Sequence, residues 1–286
     1  MTTGRSRILA ERTIDTKPRK RYFHASMNPK INMKSIHLLR ICVAAAAVVA
    51  VSAPAHAAII SFNLTDNTSG MAASDLAGAP GVRDDNYNNI SVTSATVGAI
   101  TTLTSPVDGT GTSQIGVTAT FTRGSGDAPG TAAGSNDARL FSNIFDQFDG
   151  TASTIQVTNI PFALYDVYFY RNGVETAATL RAGQFTIGGT SLYVRGGLAD
   201  PTGTGTGYVE STDTTFGLGT DIDQGNYVVF RNQTASTLDA SFTAVFAGDG
   251  VQRNKVAGFQ IAQVPEPGSA LLALGGGLLG LIRRRR

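Results

Sequence analysis

In "LDASFTAVF", Leu238, Ala240, Phe242, Ala244 and Phe246 alternate with their neighbours, and this period of two constrains the chain more than any other feature. Successive side chains of a strand point to opposite faces, so the run predicts a strand with one face buried and the other wet. "LYDVYFYRNG" repeats the pattern: Tyr165, Val167 and Phe169 alternate with Asp166, Tyr168 and Tyr170, and Asn172-Gly173 closes the run. "FTIGGTSLYV" predicts a hairpin, because Gly188-Gly189 supplies the positive φ angles of a tight turn. Similar runs predict further strands at 59–64, 90–97, 115–121, 154–158, 227–230 and 257–264.

One segment departs from this period. In "SNDARLFSNIFDQFDG", Leu140, Phe141, Ile144, Phe145 and Phe148 recur at helical spacing behind Ser135 and Asn136, which predicts a short capped amphipathic helix. Many short strands with one small helix point to an all-β fold, a two-sheet antiparallel β-sandwich with jelly-roll-like character. No Pro/Ser-rich linker and no internal repeat divides it, so residues 58–262 read as one domain.

The two ends differ from this domain. From Met33, "MKSIHLLRICVAAAAVVAVSAPAHA" has Lys34 and Arg40 as a basic start, an apolar centre over 41–51 and the small-x-small site Ala55-His56-Ala57. That is the layout of a secretory signal helix, with cleavage expected between Ala57 and Ala58. Residues 1–32 are basic and without periodicity, and Met33 is the expected true start, so 1–57 is set apart from the fold. At the other end, residues 269–282 carry no charge, and Arg283, Arg284, Arg285 and Arg286 follow. As a helix, such a run of 14 residues covers roughly 21 Å of a hydrocarbon core about 30 Å thick, short for a permanent span. The arginines are expected on the cytoplasmic side as a membrane stop.

Setting these ends aside inverts the charge. Residues 58–264 hold nine Lys and Arg against 18 Asp and Glu, near −9, whereas the whole chain is +2. A nucleic-acid partner needs a basic face and is not expected. Cys42, His24, His37 and His56 all precede the expected cleavage site, and the chain has no Trp. The exported part therefore has no disulfide, no imidazole or thiolate metal site and no Ser-His-Asp or Cys-His pair. Chemistry would rest on Asp, Glu, Tyr or Lys255. Glu175 and Glu210 are the only glutamates of 58–264 and form no recognisable glycosidase pair, so no catalytic residue is assigned.

Val264-Pro265-Glu266-Pro267, the apolar segment and the arginine cluster, in that order, resemble the PEP-CTERM sorting signal of bacteria that secrete exopolysaccharide. The resemblance covers about the last 23 residues and places a domain boundary at 263–286. It implies export through the Sec machinery and transient residence in the inner membrane. An exosortase-type protease then processes the tail, with Pro265, Glu266 and Pro267 marking the processing region. The stretches "NIPFALYDVYFY", "GNYVVF" and "VAGFQIAQVPEP" are similar to extracellular domains that precede such tails, which look like carbohydrate-binding sandwiches.

Few further motifs carry chemistry. Gly275-x-Gly277-x-x-Gly280 has no βαβ unit after it and is not a dinucleotide site, and "PTGTGTGY" reads as a loop. Calcium, which takes oxygen ligands, has its candidates in Asp221 and Asp223 of "TDIDQGN", with Asp84-Asp85 and Asp249 as further acidic turns. Tyr168 and Tyr170 are expected to contact glycan by stacking if their face is exposed; burial of both faces of that strand is the competing reading. The expectation as a whole is an exported, non-enzymatic surface or extracellular matrix protein that contacts exopolysaccharide. A carbohydrate-active hydrolase using Asp or Glu and a purely structural coat protein are the alternatives.

Overall fold

The computed structural model describes residues 57–65, 70–92, 96–127, 134, 136–173, 180–197, 201, 207–217 and 221–265. The signal helix, Ala55, Glu175, Glu266, Pro267, the apolar tail and its arginines lie outside the described residues. Among the described residues, thirteen strands and one helix are formed: β1 Ile59–Thr65, β2 Asn88–Ser91, β3 Ile100–Thr104, β4 Thr118–Thr122, β5 Gly126–Asp127, α1 Asp137–Ser142, β6 Phe145–Phe148, β7 Ser153–Thr158, β8 Tyr165–Arg171, β9 Ala182–Ile187, β10 Thr190–Arg195, β11 Tyr227–Gln233, β12 Leu238–Phe246 and β13 Arg253–Gln263. They build two sheets. The first runs β11-β8-β13-β1-β2, with β6 also on β13 and β5 on β6; the second runs β10-β9-β12-β7-β4-β3. From β6 onward the chain changes sheet at most connections. All named pairs are antiparallel except β1–β2, which is parallel.

Alternation places the core as expected. In β12, Leu238, Ala240, Phe242 and Ala244 are buried while Asp239 between them is exposed. A bulge between Ala244 and Phe246 then breaks the period, and Phe246 is only half-buried. Aromatic rings join the sheets: Phe169 of β8 stacks on Phe185 of β9 at 5.1 Å, and Phe145 of β6 meets Phe121 of β4 edge-on at 5.3 Å. Phe62 and Phe259 stack at 4.4 Å on β1 and β13, and a Cβ on neighbouring Gly258 would lie 2.2 Å from the Phe62 carbonyl oxygen. Gly188 and Gly189 have φ of 55° and 85°, the type I′ signature that the hairpin reading requires.

The helix is shorter than its spacing predicts. It ends at Ser142, and Phe145–Phe148 forms strand β6 against β13 and β5. Phe145 was on the helical stripe but packs inside the sandwich; alternation and helical spacing cannot be told apart over four residues. Asn136 sits at the N-cap with φ 54°, yet its side chain makes no cap bond and accepts the Leu76 N–H instead.

A second apolar cluster covers the outer face of the first sheet. Met71, Ala77, Ala79, Val82 and Tyr87 from the β1–β2 connection join Leu140, Phe141 and Ile144 over Tyr170 and Ala257. This cover explains why every residue of β1 is buried, Ser61 and Asn63 included. Beneath it, Ser61 Oγ donates to Asp84 at 2.5 Å and Asn63 Nδ2 donates to the Ala257 carbonyl at 2.9 Å, while Asn63 Oδ1 has no partner among the described residues.

Candidate functional site

The cover decides the fate of the two tyrosines. Tyr170 is fully buried, so the expectation that it contacts glycan is corrected. Its hydroxyl donates to Gln260 Oε1 and accepts the Ala79 N–H at 3.0 Å, and its ring meets Phe141 edge-on at 6.2 Å. Burial pushes its phenol well above the usual range. Tyr168, two residues earlier, is half-buried and stacks on Tyr227 at 6.3 Å. The Arg231–Glu210 pair lies beside it, bonded bidentately at 2.6 and 2.8 Å. Tyr208, which the sequence did not single out, donates to Asp137 at 2.7 Å and accepts the Gly78 N–H at 3.0 Å.

The acidic turns serve the backbone. Asp221 and Asp223 are exposed, and the Asp223 N–H donates to Asp213 Oδ2 at 3.2 Å. Asp249 pairs with Arg181 at 2.6 Å, which holds its carboxyl below the usual range. Among the described residues, no group of three or more His, Cys, Asp or Glu is arranged to hold a metal ion.

Asp84 differs, because it sits at the buried end of the Ser61–Gln260 network. Desolvation, opposed by the Ser61 hydrogen bond, pushes its carboxyl up to about 6 from an ordinary 3.8. The folded chain therefore holds this proton more tightly than the unfolded chain does. The stability this contributes is complete below about pH 3.8 and is lost as pH rises through about 6. Asp84→Asn keeps an oxygen for Ser61 without the charge, so it is expected to melt above the wild type at pH 7.5 and level with it near pH 3.5. Thermal melts across that interval check this; a gap that ignores pH would refute it.

The outer face of the second sheet has no such cover among the described residues. A groove of about 390 Å³ lies along it, floored by outward side chains of four adjacent strands. Register brings Thr122, Thr154 and Ser241 into one row that continues to Thr186, while Thr120, Gln156 and Asp239 form the next. Rungs repeat about 4.8 Å across strands and about 6.8 Å along them. Gln156 Nε2 donates to Asp239 Oδ1 at 2.7 Å, and Thr186 and Ser191 share a hydrogen bond of 2.9 Å. Thr, Ser and Gln side chains supply most of its polar groups, Ile155, Gly188 and Ala240 lie between them, Asp239 is the one charged residue of the lining, and no aromatic ring lines it. Each Thr, Ser or Gln can both donate and accept, the pairing capacity of a neutral polyhydroxylated molecule. A sequence signal did exist: the outward positions of β4 and β7 spell Thr118-x-Thr120-x-Thr122 and Thr154-x-Gln156-x-Thr158.

The first and last strands of the sandwich meet on the first sheet. Ala57 and Ala58 are half-buried, and the Ala58 carbonyl accepts the Gln263 N–H at 2.9 Å, so β1 and β13 begin and end side by side. The last backbone bond among the described residues is Val264 N–H to the Leu164 carbonyl at 3.0 Å, and Pro265 is exposed immediately after it. The family model described as the PEP-CTERM protein-sorting motif matches residues 263–286, starting at the last residue of β13.

The chain carries a PEP-CTERM sorting motif. The PEP-CTERM tail marks an exported protein, associated transiently with the membrane and processed there by exosortase. It follows the sandwich with no intervening linker, because Gln263 belongs both to the motif and to the β1–β13 ladder. Among the described residues, no helix is long and apolar enough to cross a membrane. No curated protein and no solved structure matches the chain.

Proposed function

We propose that this is a non-enzymatic protein of the cell surface or extracellular matrix, and that its second sheet contacts neutral exopolysaccharide. The groove on that sheet carries the reading, because its rows of hydroxyl and amide groups complement sugar hydroxyls and offer little to an anion. Each such hydrogen bond contributes a net of about 0.5–1.5 kcal/mol, so a single sugar would be held weakly. An extended chain spanning several rungs is the ligand that suits it.

The exported protein is to be run through gels containing individual polysaccharides. Thr154→Val and Thr120→Val keep β-branched shape on an exposed face while each removes a hydroxyl, and each is expected to weaken binding roughly fivefold. Retention by no neutral glycan would end the proposal, and release of reducing sugar would replace it with the hydrolase. A second surface is favoured by the half-buried Tyr168–Tyr227 stack with Arg231 and Glu210 beside it. If Tyr168→Ala abolishes retention while the threonine variants keep it, the contact belongs there.

A further inference from the structure

We infer that the β3 edge of the second sheet is a self-association surface that pairs with β3 of a second copy of this chain. Besides β3, three strands end a sheet path, and each meets a further segment. Glu210 and Ser211 meet β11 at Tyr227, Asp213 bridges Tyr193 of β10, and the Asn88 side chain of β2 exchanges hydrogen bonds of 2.7 and 2.8 Å with the Val107 backbone. On β3 the Thr101 hydroxyl donates to the Ser91 carbonyl of β2 at 2.8 Å, and no described residue hydrogen-bonds the backbone groups that β3 turns away from β4.

Its register fixes which groups are free. The Ser105 N–H donates to Val117 and the Arg123 N–H to Ala99, so Ala99, Thr101, Leu103 and Ser105 turn their backbone groups towards β4. Ile100, Thr102 and Thr104 turn theirs away from it, and all three residues are exposed, Ile100 by 67%. A bare edge of this kind is a template for another strand, and proteins that avoid pairing place Lys, Pro or a bulge there. "ITTLT" has none of these. Val97 and Ile115, 52% and 89% exposed, flank β3 on its two connections and add apolar surface.

The absence of charge selects the occupant. Antiparallel pairing about a two-fold axis at Thr102 sets Thr102 against its own copy and Ile100 against Thr104, with no like charges opposed. Backbone groups of Ile100, Thr102 and Thr104 are then satisfied on both chains. The second sheet becomes continuous through the dimer, and its hydroxyl face doubles in length. The inference rests on β3 alone and stands whether or not that face binds glycan.

Sedimentation velocity of the exported, processed protein over a wide concentration range tests it. A reversible dimer is expected. Thr102→Pro removes an outward N–H that β4 does not use, and Ile100→Lys puts charge on the edge. Each acts twice across a two-fold axis, so each is expected to weaken the dimer by roughly tenfold or more without lowering the melting temperature. Cys42 precedes the expected cleavage, so a Thr102→Cys thiol would be the only one in the processed chain. A short thiol cross-linker should join two such chains, and should leave Thr234→Cys, on an exposed turn, monomeric. A protein that is monomeric throughout, a dimer indifferent to both edge substitutions, or equal cross-linking at Thr234 would overturn the inference.

Discussion

Replacing Arg83 with methionine is expected to cost about 3–5 kcal/mol of folding stability, a large part of what a domain of this size has. Arg83 contacts both oxygens of Asp137 at 3.1 and 2.8 Å and donates to the Leu76 carbonyl at 2.8 Å. The Asp137 side chain is 0% exposed and also receives the Tyr208 hydroxyl and the Gly78 N–H. Methionine keeps much of the stem but leaves a buried carboxylate without its cation. Because this pair ties the β1–β2 connection to α1, its loss should also loosen the cover over Tyr170. Chemical denaturation followed by tyrosine fluorescence measures the first effect, and amide exchange at 71–87 the second. The contrast is Arg231→Met: Arg231 is 51% exposed in its pair with Glu210, and that pair is expected to contribute only about 0–1 kcal/mol. If the two substitutions cost the same, burial is not what makes the Arg83–Asp137 pair matter.

Truncation after Val264 is expected to abolish membrane retention and processing while leaving the fold intact. The final described backbone bond is made by Val264, so the β1–β13 ladder and the Leu164 contact survive the cut. What goes is the exosortase-recognised motif: Pro265, Glu266 and Pro267, the uncharged run of 269–282 and the four arginines. In cells that carry exosortase, fractionation should show a membrane-bound precursor for the full chain and none for the truncated one. Replacing Arg283, Arg284, Arg285 and Arg286 with serine should weaken retention without removing the processing region, since the run alone lacks its charged stop. Identical distribution of full and truncated chains would remove the sorting role.

Legibility followed the range of the interactions. A period of two is local, so β8, β12 and the Gly188–Gly189 hairpin could be read directly, with their inward faces. β3 could not: "ITTLT" has little hydrophobic contrast, and only pairing with β4 makes it a strand. Nor could the end of α1, because Phe145 fits a helical stripe and a buried strand equally well until β13 offers it a partner. Among the site candidates, Tyr168 and Tyr170 share one face in sequence and part company in space. The 71–87 segment and α1 bury Tyr170, whereas Tyr168 packs at the margin of that cluster, half-buried and stacked on Tyr227. The hydroxyl groove needs four strands side by side, two of them far apart in the chain.

By itself, then, the sequence determined the two-sheet β class and the sorting tail, because alternation, small-residue turns and a Pro-Glu-Pro–apolar–arginine order are properties of adjacent residues. Only the tertiary structure decided which outward faces stay open, since coverage depends on which distant segment folds back over each sheet. On the first sheet a connecting segment and one helical turn close the face; on the second, no described residue does, and its threonines line a groove.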